Sequence, residues 1–265
     1  MSILLVPALL LACSPKRDFT SQTIFSDLVK DSFELYIDLP PGFKQSKEYS
    51  IALYMDANLK MGKELREQIK LPVYQQNLEN VIFVGIGHIG NYRVLRRRDF
   101  IPPVVEDGDT TINSDENFGH ADVFYSFLSQ ELIPLLEQQF NTNKRYTIIG
   151  HSFGGLFSFY CLLNQPAIFT NYVALSPSLW ANYRNYFEQE KLFYLQNKKI
   201  TGNLYHSCGT MEWINKVLYS SRDMRDSINS RNYRNLRYTY QEHQGKNHNG
   251  VVPVSLEYVL ANLPF

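Results

Sequence analysis

The sequence predicts an α/β domain built on a mostly parallel central sheet with helices on both faces. Two continuously apolar runs, Tyr49-Ser-Ile-Ala-Leu-Tyr-Met-Asp56 and Asn80-Val-Ile-Phe-Val-Gly-Ile86, read as strands covered on both sides. Segments of helical spacing alternate with such runs, as they do when helices connect parallel strands. The third observation is Thr147-Ile-Ile-Gly-His-Ser-Phe-Gly-Gly-Leu156, where an apolar strand breaks at a glycine-flanked serine and a helix begins.

Taken in order, the stretch from 13 to 30 is polar and reads as a connector, so the domain is expected to span 31–265. Ser32-Phe-Glu-Leu-Tyr-Ile-Asp-Leu39 alternates in period two and stops at Pro40-Pro41-Gly42, which describes a half-buried strand and a turn. Gly62 to Leu78 offers a helix between the two apolar strands. Arg93 to Gly119 is irregular and too long for a simple connection, the usual sign of an active-site loop. Phe124, Phe127, Leu128, Leu132, Leu135 and Leu136 recur at helical spacing ahead of the serine strand. Beyond it, Asn171–Ser176, Gly202–Cys208 and Leu236–Gln241 read as strands, with helices over Met211–Arg231 and Pro253–Leu263. In such a sheet the site lies at the carboxyl ends of the strands.

The composition bounds the function. With 265 residues, 44% of them hydrophobic, the chain can bury the core of one sizeable domain. Its 26 basic and 26 acidic side chains cancel, which argues against nucleic acid as a partner, since phosphate binding needs a basic surplus. The histidines at 88, 120, 151, 206, 243 and 248 lack zinc-type spacing, so neither a metal nor a cofactor is expected. Cys161 and Cys208 read as small buried apolar residues.

Met1 to Ala12 is almost wholly apolar and ends in Leu10-Leu11-Ala12-Cys13. It is too short to span a bilayer and fits the apolar region of a secretory signal. Ala12 followed by Cys13 resembles a bacterial lipoprotein signal, in which Cys13 is acylated, although no Lys or Arg precedes the run. Residues 1–12 are therefore expected to be a signal peptide. The mature chain is then exported, periplasmic or outer-membrane-anchored, touching the membrane only through its lipid. The alternative is an apolar N-terminal segment or a strand of the domain.

Ser152 in Gly150-x-Ser152-x-Gly154 is the candidate nucleophile. A strand-to-helix corner exposes its hydroxyl and aims the N–H of Phe153 at the oxygen that becomes negative when an acyl carbonyl is attacked. A serine hydroxyl needs a base, and the base an orienting acid, in the chain order serine, acid, histidine. His248, in a loop after the last strand, is favoured over His243, and His206 falls inside a strand. Glu212, just after a strand, is favoured over Asp223 and Asp226, which fall within a helix.

Together with Ser176-Pro-Ser-Leu-Trp180, Arg97-Arg98-Asp99-Phe100-Ile-Pro102 and the Asn247-His248-Asn249 loop, these motifs give the chain a resemblance. From about residue 30 to its C-terminus it resembles the esterase family that includes esterase D, feruloyl esterases and enterobactin-type siderophore esterases. The resemblance implies an α/β-hydrolase fold and carboxylic-ester hydrolysis by Ser152, Glu212 and His248. It implies a second oxyanion N–H in the turn after Tyr54-Met55-Asp56, at Ala57, where the family often has glycine.

Of the basic cluster Arg93, Arg96, Arg97 and Arg98, Arg98 is the candidate to bind an anionic or catecholate substrate group; the alternative is a solvated run with Arg98 held by a local acid. Trp180 is either the wall of an acyl or aryl pocket or a packed lid. The expected activity is that of a serine esterase working through an acyl-serine on a small-molecule or glycan ester. The rival readings are an acyltransferase using the same residues and a non-catalytic lipoprotein that binds glycans or siderophores.

Overall fold

The structure, a computed structural model, describes residues 17–103, 105–106, 109–110, 117–164, 167–214 and 216–265. The apolar start and Cys13 lie outside the described residues. The first half comprises β1 (Asp18–Ser26), β2 (Asp31–Leu39), β3 (Tyr49–Met55), α1 (Lys60–Gln68), α2 (Gln75–Leu78), β4 (Val81–His88) and α3 (Tyr92–Phe100). A short ladder of β5 (Val105–Glu106) with β6 (Asp109–Thr110) follows, then α4 (Ala121–Phe127) and α5 (Ile133–Gln139). The second half comprises β7 (Thr142–His151), α6 (Phe153–Leu163), β8 (Asn171–Leu175), α7 (Ala181–Gln196), β9 (Lys199–Gly209), α8 (Val217–Arg231), β10 (Arg234–His243) and α9 (Val251–Asn262).

Eight strands form one sheet in the order β1-β2-β4-β3-β7-β8-β9-β10. The β1–β2 and β2–β4 pairs are antiparallel, and every pair from β4 to β10 is parallel. This is the α/β-hydrolase arrangement that the resemblance implied. Burial follows the two-residue period of a strand: Leu53 and Ile148 enter one apolar layer, while their neighbours Tyr54 and Ile149 enter the other. The first layer is closed by residues of α3 to α8, including Phe100, Phe124, Phe157 and Met224. The second is closed by α1, α2 and α9 through Leu65, Leu78 and Leu256. Helices cover both faces, so the central strands can be apolar throughout.

Three expectations need correction. The segment read as a connector contains β1, an edge strand whose residues are mostly exposed on both faces, so no alternation betrays it. The segment read as an irregular loop begins with α3, started by Asn91, whose side chain accepts from the Arg93 N–H. The helix expected from Met211 starts at Val217, because turns around Glu212 intervene. Between α4 and α5 the helix widens into a π-turn at Leu128–Leu132. Pro134, in the first turn of α5, has no N–H to give to the preceding turn.

Candidate active site

The corner at the end of β7 holds Ser152 at φ 62°, ψ −118°, a conformation that L-residues rarely adopt. Its carbonyl starts α6 by accepting from Leu156, and its N–H donates to the Leu175 carbonyl of β8. The flanking glycines are not equivalent. A Cβ on Gly150 would lie 2.0 Å from the Gly154 carbonyl oxygen, and one on Gly155 would lie 3.0 Å from that of Leu175. On Gly154 it would first meet the Met55 Cβ at 3.2 Å. Phe153 is the first residue of α6, where an N–H has no acceptor within the helix and lies at the positive end of its dipole.

Alternate residues after β8 serve neighbouring groups. The Ser176 hydroxyl donates to Glu212 Oε1 at 2.6 Å, and Ser178 Oγ lies 3.2 Å from Ser152 Oγ. Glu212 Oε1 also accepts from the Gly209 N–H at 2.7 Å, while Oε2 accepts from His248 Nδ1 at 2.6 Å. The carboxylate is 1% exposed, and three donors replace the water it has lost. Because Nδ1 donates to the carboxylate, Nε2 of a neutral His248 is left as the basic nitrogen.

The loop carrying His248 is held from beneath by His151. Its buried ring lies 4.4 Å from that of His248, and its Nε2–H donates to the His248 carbonyl at 2.8 Å. Burial, aided by the charge of His248, lowers its pKa to about 3, so it stays neutral. Sequence reading passed over His151, although its place beside the serine was a signal.

Ser152 and His248 line one cleft of about 700 Å³, together with Asp56, Lys60, Tyr92 and Arg96. Arg96 grips Asp56 with two parallel bonds, and its guanidinium carbon lies 5.6 Å from the centre of the Phe153 ring. Arg98, the expected substrate ligand, is engaged elsewhere. Nε and Nη2 donate to Asp99 at 2.6 and 2.9 Å, and Nη1 donates to Asp31 at 2.9 Å. Asp99 also takes His88 Nε2 at 2.9 Å, so this network braces α3 against β2 and β4.

The Ala57 N–H, expected as the second oxyanion donor, is also committed: it donates to the Ile86 carbonyl at 3.1 Å. Trp180 is 37% exposed, with its ring 6.3 Å from that of Phe153. It walls a second cavity of about 660 Å³ with Tyr183, Lys216 and Tyr219. The alternatives weighed for base and acid have other partners. His243 bonds Ser255, the buried His206 bonds Tyr238, and Asp223 and Asp226 pair with Arg184 and Arg225. Among the described residues, no three His, Cys, Asp or Glu side chains gather as a metal site.

Residues 26–249 match the family described as Putative esterase. The chain belongs to that family. This esterase is 26% identical over 236 residues to the ferri-bacillibactin esterase BesA of Bacillus subtilis, covering 84% of this chain and 81% of the relative. It is 32% identical over 126 residues to the siderophore triacetylfusarinine C esterase of Aspergillus fumigatus, covering 45% of this chain and 40% of that one. Among solved structures, the BES protein of Bacillus cereus superposes with a TM-score of 0.76 at 24% identity, covering 92% of the esterase and 94% of that chain. An IroE-like serine hydrolase of Shewanella oneidensis gives 0.77 at 22%, covering 92% and 79%. These two superpositions establish the fold of the esterase.

Proposed function

We propose that this esterase hydrolyses small-molecule siderophore esters through an acyl-Ser152 intermediate, with His248 as the base and Glu212 as its orienting acid. The observation that carries the triad is the 2.6 Å bond from His248 Nδ1 to a fully buried carboxylate, at the cleft that Ser152 also lines. The substrate class rests on the relatives, foremost BesA, which is matched over 81% of its length.

In the free enzyme the Ser152 hydroxyl rests on Ser178, and proton transfer requires it to turn toward His248 Nε2. Oγ attacks the ester carbonyl carbon as Nε2 takes its proton, and Glu212 stabilises the imidazolium that forms. The carbonyl oxygen becomes negative against the Phe153 N–H and the positive end of α6. With the Ala57 N–H engaged, Arg96 and Lys60 are the further positive groups on this cleft; Nη1 of Arg96 takes no part in the grip on Asp56. The tetrahedral species collapses, the C–O bond breaks, and the alcohol leaves with the proton from His248. Water then gives a proton to Nε2 as it attacks the acyl-serine; the acyl C–Oγ bond breaks, Ser152 takes that proton back from Nε2, and the acid is released. The cavity walled by Trp180 takes the part of the ester beyond the reacting carbonyl. The reading keeps the chain exported and acylated at Cys13, on the strength of its apolar start alone.

The test is mass-spectrometric analysis of a ferric siderophore triester incubated with wild type and with Ser152→Ala. Stepwise addition of water to the ester bonds by wild type, absent in the variant, supports the reading. Turnover of simple p-nitrophenyl esters without any attack on the triester would reject the substrate class and leave the triad standing.

A further inference from the structure

We infer that the edge of the sheet opposite the active site is a docking face for an anionic lipid surface, so that the bound enzyme presents its cleft to the aqueous side. The strand register defines this amino edge. Tyr49 pairs with Thr142, Asn171 with Asn203, and Arg234 with Lys199, while the other ends of β3, β7, β8 and β9 lead to Asp56, Ser152, Ser176 and Glu212.

Exposed cations come in pairs where the chain enters these strands: Lys44 and Lys47 before β3, Lys144 and Arg145 at the start of β7, Lys198 and Lys199 at the start of β9. Among the described residues none of the six has a carboxylate partner, whereas Lys70 and Arg231, near the same edge, are paired with Glu67 and Glu190. The acids at this edge without a cation partner are fewer, namely Asp18, Glu48, Glu79 and Glu137, the last bonded to the Tyr146 hydroxyl. In a chain whose charges cancel overall, the edge is therefore locally basic. From β3 to β9 it spans about 15 Å at the usual spacing of strands, a width that several headgroups would cover.

Charge alone would suit many acidic partners, and two further observations select a bilayer. Helix α7 runs antiparallel to the parallel strands, so its C-terminal end reaches the same edge. Leu195, in its last turn, is 66% exposed beside Lys198 and Lys199. Cations around a protruding apolar side chain suit an interface of anionic headgroups over hydrocarbon. The second observation is where the chain enters. Asp18 pairs with Leu39 at this edge, and the Arg17 side chain is buried there, donating to the carbonyls of Val81 at 2.7 Å and Asp38 at 3.3 Å. The described chain thus enters the domain on this face.

The test is vesicle co-sedimentation of the full-length chain, comparing phosphatidylcholine vesicles with ones containing about 30% phosphatidylglycerol. Any hold from the apolar start is common to both vesicles, so the difference reads the face. The anionic vesicles should bind at least about tenfold more protein, and the excess should vanish near about 0.5 M salt. The triple variant Lys44→Glu, Lys144→Glu, Lys199→Glu, its fold checked by near-UV circular dichroism, should lose the whole of that roughly tenfold excess. Brominated lipid should quench the emission added by Leu195→Trp but not that of Trp180 and Trp213, which lie towards the carboxyl edge. Equal binding to both vesicles, no effect of charge reversal, or quenching of the native tryptophans would overturn the inference. None of these readouts depends on catalysis.

Discussion

Arg96 holds Asp56 through both edges of its guanidinium, Nε to Oδ1 at 2.7 Å and Nη2 to Oδ2 at 2.9 Å. Asp56 is the first residue after β3, is 3% exposed and has a φ of 58°, so a strained turn is pinned by an arginine from α3. Nη2 also donates to the His151 carbonyl at 3.4 Å, which ties this turn to the strand end that presents Ser152.

Removing one partner of this pair should therefore harm both stability and turnover. Arg96→Ala leaves a buried carboxylate unpaired, at a cost of about 3 kcal/mol. Arg96→Lys keeps the charge but not the parallel bonds, and should lower kcat by at least about tenfold. Thermal melts and steady-state kinetics on p-nitrophenyl acetate check this. An Arg96→Lys enzyme with unchanged kcat would mean that the grip does not support catalysis.

The two oxygens of Glu212 have separate duties, so their partners should be separable. Glu212→Gln conserves shape but presents the wrong group to Nδ1, and kcat should fall by about 10³- to 10⁴-fold, as when the acid of a triad is neutralised. Ser176→Ala removes one of the donors to Oε1 and should cost about tenfold. Equal losses in the two variants, by steady-state kinetics, would contradict this division.

The glycines around Ser152 should rank by what a methyl group would strike. Gly150→Ala should prevent folding, Gly155→Ala should destabilise measurably, and Gly154→Ala should be the mildest of the three. Soluble yield and melting temperature give the order. A stable Gly150→Ala protein would mean that the corner can open.

Two buried histidines, His151 and His206, have pKa values lowered to about 3, chiefly by burial. In the unfolded chain each takes a proton near its ordinary value of 6.5, so below that pH the unfolded state binds protons the folded state refuses. Their contribution to stability is complete above about pH 6.5 and is lost as pH falls toward 3. Asp38 acts with the opposite sign. Burial raises its pKa from 3.8 to about 6, so it favours the folded state at low pH and ceases to do so as pH rises through 6. His206→Phe should therefore flatten the fall in stability between pH 6 and pH 4 by about 1.4 kcal/mol per pH unit, measured by urea unfolding. An unchanged slope would show that His206 is protonated in the folded state.

Much of this architecture was legible because its signals are local. The apolar runs of β3 and β4 and the corner at Ser152 carry their own periodicity. Chain order, with positions just beyond predicted strands, put Glu212 and His248 at the edge where Ser152 lies. Asp99, the next residue, takes two of the Arg98 donors, a local partner that the sequence displayed. Other misses depend on partners far away in the chain: Asp31 takes the remaining Nη1 of Arg98, and Ile86 takes the Ala57 N–H. Sequence reading placed Arg96 and Arg98 in one basic cluster, but α3 separates them, with Arg96 at the cleft and Arg98 in a buried brace. The edge strand β1 escaped because a strand exposed on both faces has no buried period to read.

The central claim is that Ser152 is the nucleophile activated by His248. Its most direct test is intact-mass and peptide-map measurement of labelling by a fluorophosphonate. A single adduct on the peptide containing Ser152 is expected, forming at least about 10³-fold more slowly in His248→Asn. An adduct on another residue, or equal labelling of Ser152→Ala, would contradict the account.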